Sequence, residues 1–244
     1  MTFFLLTAAL VTAGVGIWLS RRWRVLGQLI MVLGGLGLLG AVALEIRQYV
    51  LSPEPKPPDR SQMAVSYCLA TCVLADTAGE SGSVVLLFPQ RHLMDADTER
   101  SYEEGFAPPL RHGHGMLHLK ALRLEGKDRE AARSLQSFRQ VLTQAQGALA
   151  VVSYAALPAD LDSLFSPGQP KVPPLYLFDP NGTTNWLGAL KAGHIKAVVV
   201  PRPGMDSRAR ATIAGMPDKV FERCYLLATS ANADAIAASL KPPR

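Results

Sequence analysis

The hydrophobic pattern of this chain changes abruptly near residue 50. Before that point lie two uncharged apolar runs, residues 2–19 and 25–44, each close to the length of about 20 residues that an α-helix needs to cross a bilayer. Residues 20–24 separate the runs by a short loop with three arginines, which favours a cytoplasmic loop. The pattern predicts a transmembrane hairpin over residues 1–47 of a bacterial inner-membrane protein, with the remainder of the chain in the periplasm.

A cleaved signal peptide is the alternative interpretation of the first apolar run. A signal peptide begins with positive charge, whereas here the arginines follow the run, so the sequence favours a retained span. Residues 48–60 form the predicted linker, because residues 52–60 include four prolines, which cannot continue a helix and favour extended chain. The predicted folded domain then covers residues 61–244.

From residue 61 onward, short apolar runs of strand length alternate with stretches of helix length. Strands are predicted at residues 84–88, 116–124, 148–154, 174–178, 196–200 and 224–229. Helices are predicted at residues 61–75, 98–106, 128–146, 158–165, 183–192 and 231–240, and no element is predicted at 205–218. Pro108 and Pro109 are expected to end the second helix, and Asp128 to cap the start of the third. This alternation predicts right-handed βαβ units and a mostly parallel sheet.

The charge pattern and the absence of signature loops exclude several classes of function. Four of the 25 basic residues and one of the 20 acidic residues precede Gln48, so the folded domain is close to charge balance. It contains no basic patch interleaved with aromatic residues, and nucleic acid is not expected as a partner. No Walker A loop, G-x-G-x-x-G fingerprint or G-x-S-x-G elbow occurs, so neither a cofactor nor an enzymatic activity is predicted.

Two cysteines and one group of histidines have spacings that could serve structure or metal binding. Cys68 and Cys72 are four residues apart and share one face of a predicted helix, where they are either small core residues or, in an oxidising compartment, a disulfide. His112, His114 and His118 lie close together in the sequence. Metal sites need convergent ligands and usually a carboxylate or thiolate as well, so no metal site is predicted there.

Polar residues follow several predicted strands, at the edge where open α/β sheets bind ligands. Together they could hold a small polar molecule by hydrogen bonds and one aromatic face. The alternative for the sequence Asp-Pro-Asn-Gly at residues 179–182 is a plain turn, because these residue types favour turns for backbone reasons. The candidate ligand-binding residues are Gln90, Arg91, His92 and Asp95 after the first strand, Ser153 and Tyr154 at the end of the third, Asp179 and Asn181 after the fourth, and Arg202 after the fifth.

Six segments of the chain share the sequence pattern of one known family: VVLLFP, MLHLKAL, DREAARSLQSFRQVLTQAQGALAVVSYAALPADLDSL, VPPLYLFDPNG, ALKAGHIKAVVVPRPG and LLATSANAD. They resemble the type 1 periplasmic sugar-binding proteins, whose relatives include the LacI-type regulators. The resemblance covers residues 83–240 and implies a Rossmann-like sheet in flavodoxin-like order, with helices on both faces. It also implies that Asp179 occupies the position of that family's ligand-contacting aspartate. The middle of the family's second lobe is missing between Asp179 and Trp186, so this chain has the length of about one compact lobe.

The sequence therefore predicts a membrane-anchored, periplasm-facing domain that binds or senses a small, sugar-like molecule. It would act without catalysis, as an accessory to a transport or signalling complex. The alternative is a structural or protein-interaction module that kept the binding-protein fold, lost its ligand, and binds a membrane-complex partner or a second copy of itself.

Overall fold

The computed structural model describes residues 32, 40, 56–112, 117–125, 134–158, 160–165, 172–205, 213 and 215–240. Apart from residues 32 and 40, the predicted transmembrane hairpin lies outside these residues, as does most of the predicted linker, so the spans at 2–19 and 25–44 stay predictions. Among the described residues, no helix is long and apolar enough to cross a membrane. The elements below belong to the second of two compact units, Pro57–Arg244.

Strands and helices alternate along the described part of this unit, as the sequence predicts. A short 3-10 helix, Leu161–Phe165, lies between the third and fourth strands. The strands are β1 (Gly82–Phe88), β2 (Leu117–Arg123), β3 (Ala150–Ser153), β4 (Leu175–Phe178), β5 (Ile195–Pro201) and β6 (Tyr225–Ala228). The α-helices are α1 (Arg60–Asp76), α2 (Ala96–His112), α3 (Leu135–Gln144), α4 (Leu187–Lys191), α5 (Pro217–Cys224) and α6 (Ala233–Leu240).

Six strands form one sheet in the order β2-β1-β3-β4-β5-β6. All neighbours pair in parallel except β5 and β6, which are antiparallel, so the predicted mostly parallel α/β sheet is confirmed. The chain adds β2 on one side of β1 and β3 on the other, which is the flavodoxin-like order with its switch point between β1 and β3. The central strands are buried on both faces, which explains their uninterrupted apolar sequences.

Helices cover both faces of the sheet. Val84 and Leu86 of β1 belong to one apolar core, which α1, α2 and α5 complete. Val85 and Leu87 belong to the other core, which α3, α4, α6 and the 3-10 helix complete. Successive side chains of a strand point to opposite faces, so one continuous apolar run supplies both cores. Trp186, just before α4, is the largest fully buried side chain in the described residues and lies in the second core.

The second helix is longer than its prediction. Helix α2 continues through Pro108 and Pro109 to His112, so the expectation that these prolines end it is wrong. Proline has a φ that a helix accepts, and its cost is a missing N–H and a clash with the carbonyl four residues earlier. Packing against α1 offsets this cost, and it brings Gly105 of α2 directly against the backbone of Met63.

The third helix begins later than its prediction. Helix α3 starts at Leu135, and the Ser134 side chain caps it by accepting a hydrogen bond from the Ser137 amide at 3.2 Å. Ser134 itself has extended backbone angles, so a single helix from 128 to 146 is not formed. The predicted cap Asp128 lies outside the described residues.

Two further helices differ from the sequence-based predictions for local reasons. Helix α4 is restricted to Leu187–Lys191 because the residues before it form a loop around the Asp179 carboxylate. Helix α5 was not predicted, because its sequence is mostly polar and only one side of it is buried, at Val220 and Cys224. Pro217 begins α5 at a position where its missing N–H has no helical partner to lose.

Candidate functional site

A cavity of about 300 Å³ opens at the carboxyl edge of the sheet, beside the switch point between β1 and β3. Its walls come from α2 and from the segments at the ends of β1, β2, β3 and β4. The volume lies at the lower end of the range of about 300–1,000 Å³ that small-molecule pockets occupy. The lining residues are Pro89, Leu93, Met94, Tyr102, Leu124, Tyr154, Ala156, Phe178, Pro180 and Asn181.

Aromatic rings form one wall of the cavity. Tyr102 stacks on Tyr154 with ring centroids 4.2 Å apart, and Tyr154 stacks in turn on the buried Phe88 at 5.3 Å. Phe178 is tilted against Tyr102 at 6.1 Å. Stacked rings are large, apolar and held in fixed orientations by one another. The wall therefore suits a ligand that has an apolar or ring-shaped face.

The hydroxyl of Tyr154 is engaged away from the cavity. It lies 2.7 Å from the Ser66 hydroxyl of α1, and both residues are buried. Burial raises the pKa of the Tyr154 phenol above its ordinary value, so the group stays neutral and protonated at physiological pH. Tyr154 thus contributes its ring to the site and its hydroxyl to the core.

We expect the Tyr154→Phe variant to lose about 1 kcal/mol of unfolding free energy, because the buried Ser66 hydroxyl loses its partner. Urea unfolding measures this loss. The matched double variant Ser66→Ala/Tyr154→Phe removes both polar groups and should recover part of it. If Tyr154→Phe unfolds at the wild-type urea concentration, the hydrogen bond contributes nothing to stability.

The Asp179 carboxylate organises the loop that follows β4. Its Oδ1 accepts a hydrogen bond from the Asn181 amide at 3.1 Å. Its Oδ2 accepts from the Thr183 amide at 2.6 Å, from the Thr183 hydroxyl at 3.0 Å, and from the Trp186 indole N–H at 3.1 Å. Asp179 is only 3% exposed. This geometry agrees with the turn interpretation of residues 179–182, and it places Asn181 at the cavity wall.

The same loop contains a strained residue. Thr184 has a φ of 60°, which a β-branched side chain rarely adopts. Two flanking contacts hold it. The Asn185 side-chain N–H donates to the Pro158 carbonyl at 2.8 Å, and the Thr183 hydroxyl shares its single proton between the Asp179 carboxylate at 3.0 Å and the Asn185 side-chain oxygen at 2.8 Å. Strain of this kind persists only where the surroundings over-determine the backbone, and it is concentrated at functional sites.

Of the nine predicted site residues, the structure brings Tyr154 and Asn181 together at the cavity. Gln90 is buried in the segment after β1, and Arg91 and His92 are exposed in the turn that follows it. These three residues lie in the sequence between Pro89 and the pair Leu93 and Met94, which line the cavity, but they do not line it themselves.

The remaining predicted residues have local structural partners. Asp95 caps α2 by accepting from the Thr98 amide at 2.7 Å, and this hydrogen bond lowers the pKa of Asp95. Ser153 is buried and accepts from the Ala155 amide at 3.3 Å. The exposed Arg202 donates from Nε to the Glu222 carbonyl at 2.9 Å. None of these side chains lines the cavity.

A charged cluster joins α2 to β2 near the cavity. Arg123, the last residue of β2, forms an ion pair with Glu99 in the first turn of α2. Burial and the neighbouring Glu99 charge raise the pKa of Glu103, while Arg123 acts in the opposite direction. Tyr102 and Leu124, which line the cavity, are the sequence neighbours of Glu103 and Arg123. The ion pair therefore links the two segments that carry these lining residues.

Most of the lining residues were missed in the sequence because they are apolar and resemble core residues. A signal was present at two of them, since Leu124 and Phe178 stand at strand ends on the same edge as the polar candidates. The rest depend on where α2 and the loops after β1, β3 and β4 fold, which no local pattern reveals. They are Leu93, Met94, Tyr102, Ala156 and the prolines at 89 and 180.

Among the described residues, no group of three or more His, Cys, Asp or Glu side chains could hold a metal ion. His118 is exposed on β2, and His114 lies outside the described residues.

No protein-family model and no curated protein sequence matches the chain. Solved structures match it in fold. They include an ABC transporter solute-binding protein from Agrobacterium vitis bound to α-D-tagatopyranose, which is 17% identical with a TM-score of 0.48, over 75% of this chain and 61% of that one. A galactofuranose-binding protein is 13% identical with a TM-score of 0.49, over 74% and 62%. A periplasmic ribose ABC transporter protein from Conexibacter woesei is 12% identical with a TM-score of 0.46, over 74% and 60%.

The chain spans about three fifths of the length of these structures. The match to periplasmic sugar-binding proteins covers about three quarters of the chain and concerns the arrangement of strands and helices. Similarity at this level identifies no ligand for the chain.

Proposed function

We propose that the domain binds or senses a small molecule, without catalysis, in the cavity at the carboxyl edge of the sheet. The observation that carries this proposal is the cavity's position: it lies beside the switch point, where open parallel sheets bind their ligands. The aromatic wall and the small volume of the cavity indicate the kind of ligand that it could hold. Pockets of this kind combine an apolar surface with a few polar groups that orient the ligand.

The lining suggests which molecules to test first. Tyr102, Tyr154 and Phe178 offer apolar surface, and the Asn181 side chain offers both a donor and an acceptor. A monosaccharide or another compact ring with hydroxyl groups has a C–H face for the rings and polar edges for the amide. The sequence resemblance to sugar-binding proteins implies the same class.

Membrane anchoring is part of the same proposal and rests on sequence alone. The two uncharged runs at 2–19 and 25–44 would hold the domain at a bacterial inner membrane, on its periplasmic side. There the domain would serve a transport or signalling complex. A reporter enzyme fused after Arg244 tests the orientation. A reporter that is active only in the periplasm supports the proposal, and one that is active only in the cytoplasm contradicts it.

Ligand binding is tested by thermal shift on the full chain in mild detergent, against a panel of monosaccharides and small hydroxylated metabolites. A binding compound at a hundred times its Kd raises the unfolding free energy by about 2.7 kcal/mol. Ala156→Leu fills the cavity without removing a hydrogen bond, and Asn181→Ala removes the orienting amide. We expect the first variant to abolish the shift and the second to weaken binding about tenfold, or 1.4 kcal/mol.

Gln140→Ala is the matched control, because it also removes an amide side chain but from the exposed surface of α3. It should bind like wild type. Equal binding by wild type and Ala156→Leu would place the ligand outside the cavity. No shift with any compound of the panel would contradict the proposed ligand class.

A protein-interaction module is the second candidate, and the exposed edge of the sheet favours it. Strand β2 is an edge strand of the sheet, and its residues 118–121 are exposed. Such an edge can pair with another chain. Light scattering of the full chain, with a Leu119→Lys variant on this strand, tests the idea. A dimer that dissociates in the variant supports it, and a wild-type monomer contradicts self-association.

A further inference from the structure

The cavity at the carboxyl edge of the sheet has few polar side chains to offer a ligand. Among the described residues that line it, none carries a charge, and those with a hydroxyl or amide group are Tyr102, Tyr154 and Asn181. The Tyr154 hydroxyl lies 2.7 Å from the Ser66 hydroxyl and is therefore engaged within the core. At most the Tyr102 hydroxyl and the Asn181 amide remain for a ligand.

The backbone of the lining adds few hydrogen-bond donors to these side chains. Pro89 and Pro180 have no N–H group. Several other lining residues already donate their amide within the protein: Leu93 to the Gln90 carbonyl, Leu124 to the Phe88 carbonyl, Tyr154 to the Leu87 carbonyl and Asn181 to the Asp179 carboxylate. A ligand with many hydroxyl groups would therefore find few amides to bind.

The Asp179 carboxylate does not compensate for this shortage. Asp179 stands immediately before the lining residues Pro180 and Asn181, but it does not line the cavity. It is buried, and its two oxygens accept from the Asn181 and Thr183 amides. Hydrogen bonds to charged groups are roughly twice as strong as those between neutral groups. A monosaccharide in the cavity would lose the water around several hydroxyls without gaining such bonds, which costs binding free energy.

We propose that the ligand of this cavity is a single neutral ring with one polar substituent, of which a phenol is the simplest example. This inference rests on the proposed function and narrows its ligand class. The Asn181 side chain can donate one hydrogen bond and accept another, which is what one hydroxyl group requires. The apolar remainder of the ring fits the apolar remainder of the lining.

The size of the cavity and its aromatic wall also fit one ring. An apolar cavity of about 150 Å³ is enough to hold benzene, and this cavity measures about 300 Å³. Tyr102 and Phe178 are tilted by 55° with centroids 6.1 Å apart, so together they present ring faces and ring edges. Aromatic ligands are attracted to both, in offset stacks or edge to face. Met94 adds a flexible thioether, which makes favourable contacts with ring edges.

Fluorine NMR of 4-fluorophenol, titrated with the full chain in mild detergent, tests the proposal. We expect the wild-type protein to shift and broaden the fluorine signal, and p-cresol to displace this probe. The anion 4-hydroxybenzoate should displace it at least about a hundredfold more weakly, because its charge would be buried without a partner. Glucose should leave the probe bound at the concentration at which p-cresol removes it completely.

Three variants control this experiment. Ala156→Leu fills the cavity and should not bind the probe, so in the same detergent it measures how much probe partitions into micelles. Asn181→Ala should weaken probe binding about tenfold, because the ligand hydroxyl loses its partner. Gln140→Ala removes an exposed amide from α3 and should bind like wild type. Unfolding temperatures without ligand show whether each variant is folded.

The opposite results contradict the proposal in different ways. A monosaccharide that displaces the probe, or that alone raises the unfolding temperature, overturns this inference but leaves the proposed function standing. Equal displacement by 4-hydroxybenzoate and p-cresol shows that the site does not select a neutral ring. Wild-type binding of the probe by Ala156→Leu places the probe outside the cavity and also overturns the inference. If neither the probe nor any monosaccharide binds, the proposed function itself fails.

Discussion

Replacing Asp179 by alanine is expected to lower the free energy of unfolding by about 3–4 kcal/mol, because the substitution leaves the buried Trp186 indole N–H and two backbone amides of the loop without their acceptor. The carboxylate accepts from the Thr183 amide, the Thr183 hydroxyl and the Trp186 indole N–H, and Trp186 is fully buried. Each such loss costs about 1–3 kcal/mol, and the contributions of one network are not additive. Urea unfolding of the full chain measures the change.

Two further variants make this experiment specific. Asp160→Ala removes an exposed carboxylate before the 3-10 helix and should cost less than about 0.5 kcal/mol. Asp179→Asn keeps the shape and one acceptor, and it should lie between wild type and Asp179→Ala. A loss below about 1 kcal/mol in Asp179→Ala would mean that the loop does not depend on the carboxylate.

The same variants separate the two interpretations of Asp179. The resemblance to sugar-binding proteins implies that this residue contacts the ligand, whereas the structure gives its oxygens partners within the loop. Asp179→Asn that folds stably but no longer binds any compound that wild type binds would support direct contact. Reduced stability with retained affinity would support the role in the loop alone.

Replacing Gly105 by alanine is expected to destabilise the domain by about 2–3 kcal/mol, because the added methyl overlaps the backbone of α1. A Cβ at Gly105 would lie 2.4 Å from the Met63 carbonyl oxygen and 2.6 Å from its Cα. Backbone atoms cannot move aside as a flexible side chain can, so α1 and α2 would have to separate. The sign of the change in unfolding free energy is informative, because replacing glycine by alanine in an unobstructed helix raises stability by about 0.5–1 kcal/mol.

Glu104→Ala is the neighbouring control on the exposed side of α2. It should change stability by less than about 0.5 kcal/mol, and thermal unfolding compares the two variants directly. Gly105→Ala with wild-type or greater stability would contradict the close contact between the helices. It would also remove the explanation for how α2 tolerates two internal prolines.

The sequence by itself determined the class of fold, because the relevant signals are local. Apolar runs of strand length indicated buried parallel strands, and β1 and β5 form where they were predicted. A helix was predicted to end at residue 192, and Gly193, two residues after the end of α4, adopts a φ of 78° that is typical of a helix C-terminus. These signals act over a few residues and need no partner element.

The tertiary structure alone decided the features that depend on distant contacts. Helix α2 runs through Pro108 and Pro109 because α1 supports it, and β6 pairs antiparallel with β5 because α5 ends beside the carboxyl end of β5, where Tyr225 pairs with Pro201. The cavity assembles from residues up to about ninety positions apart, between Pro89 and Asn181, and most of them are apolar. A sequence shows that such residues are buried, but only packing determines whether they face a core or a cavity.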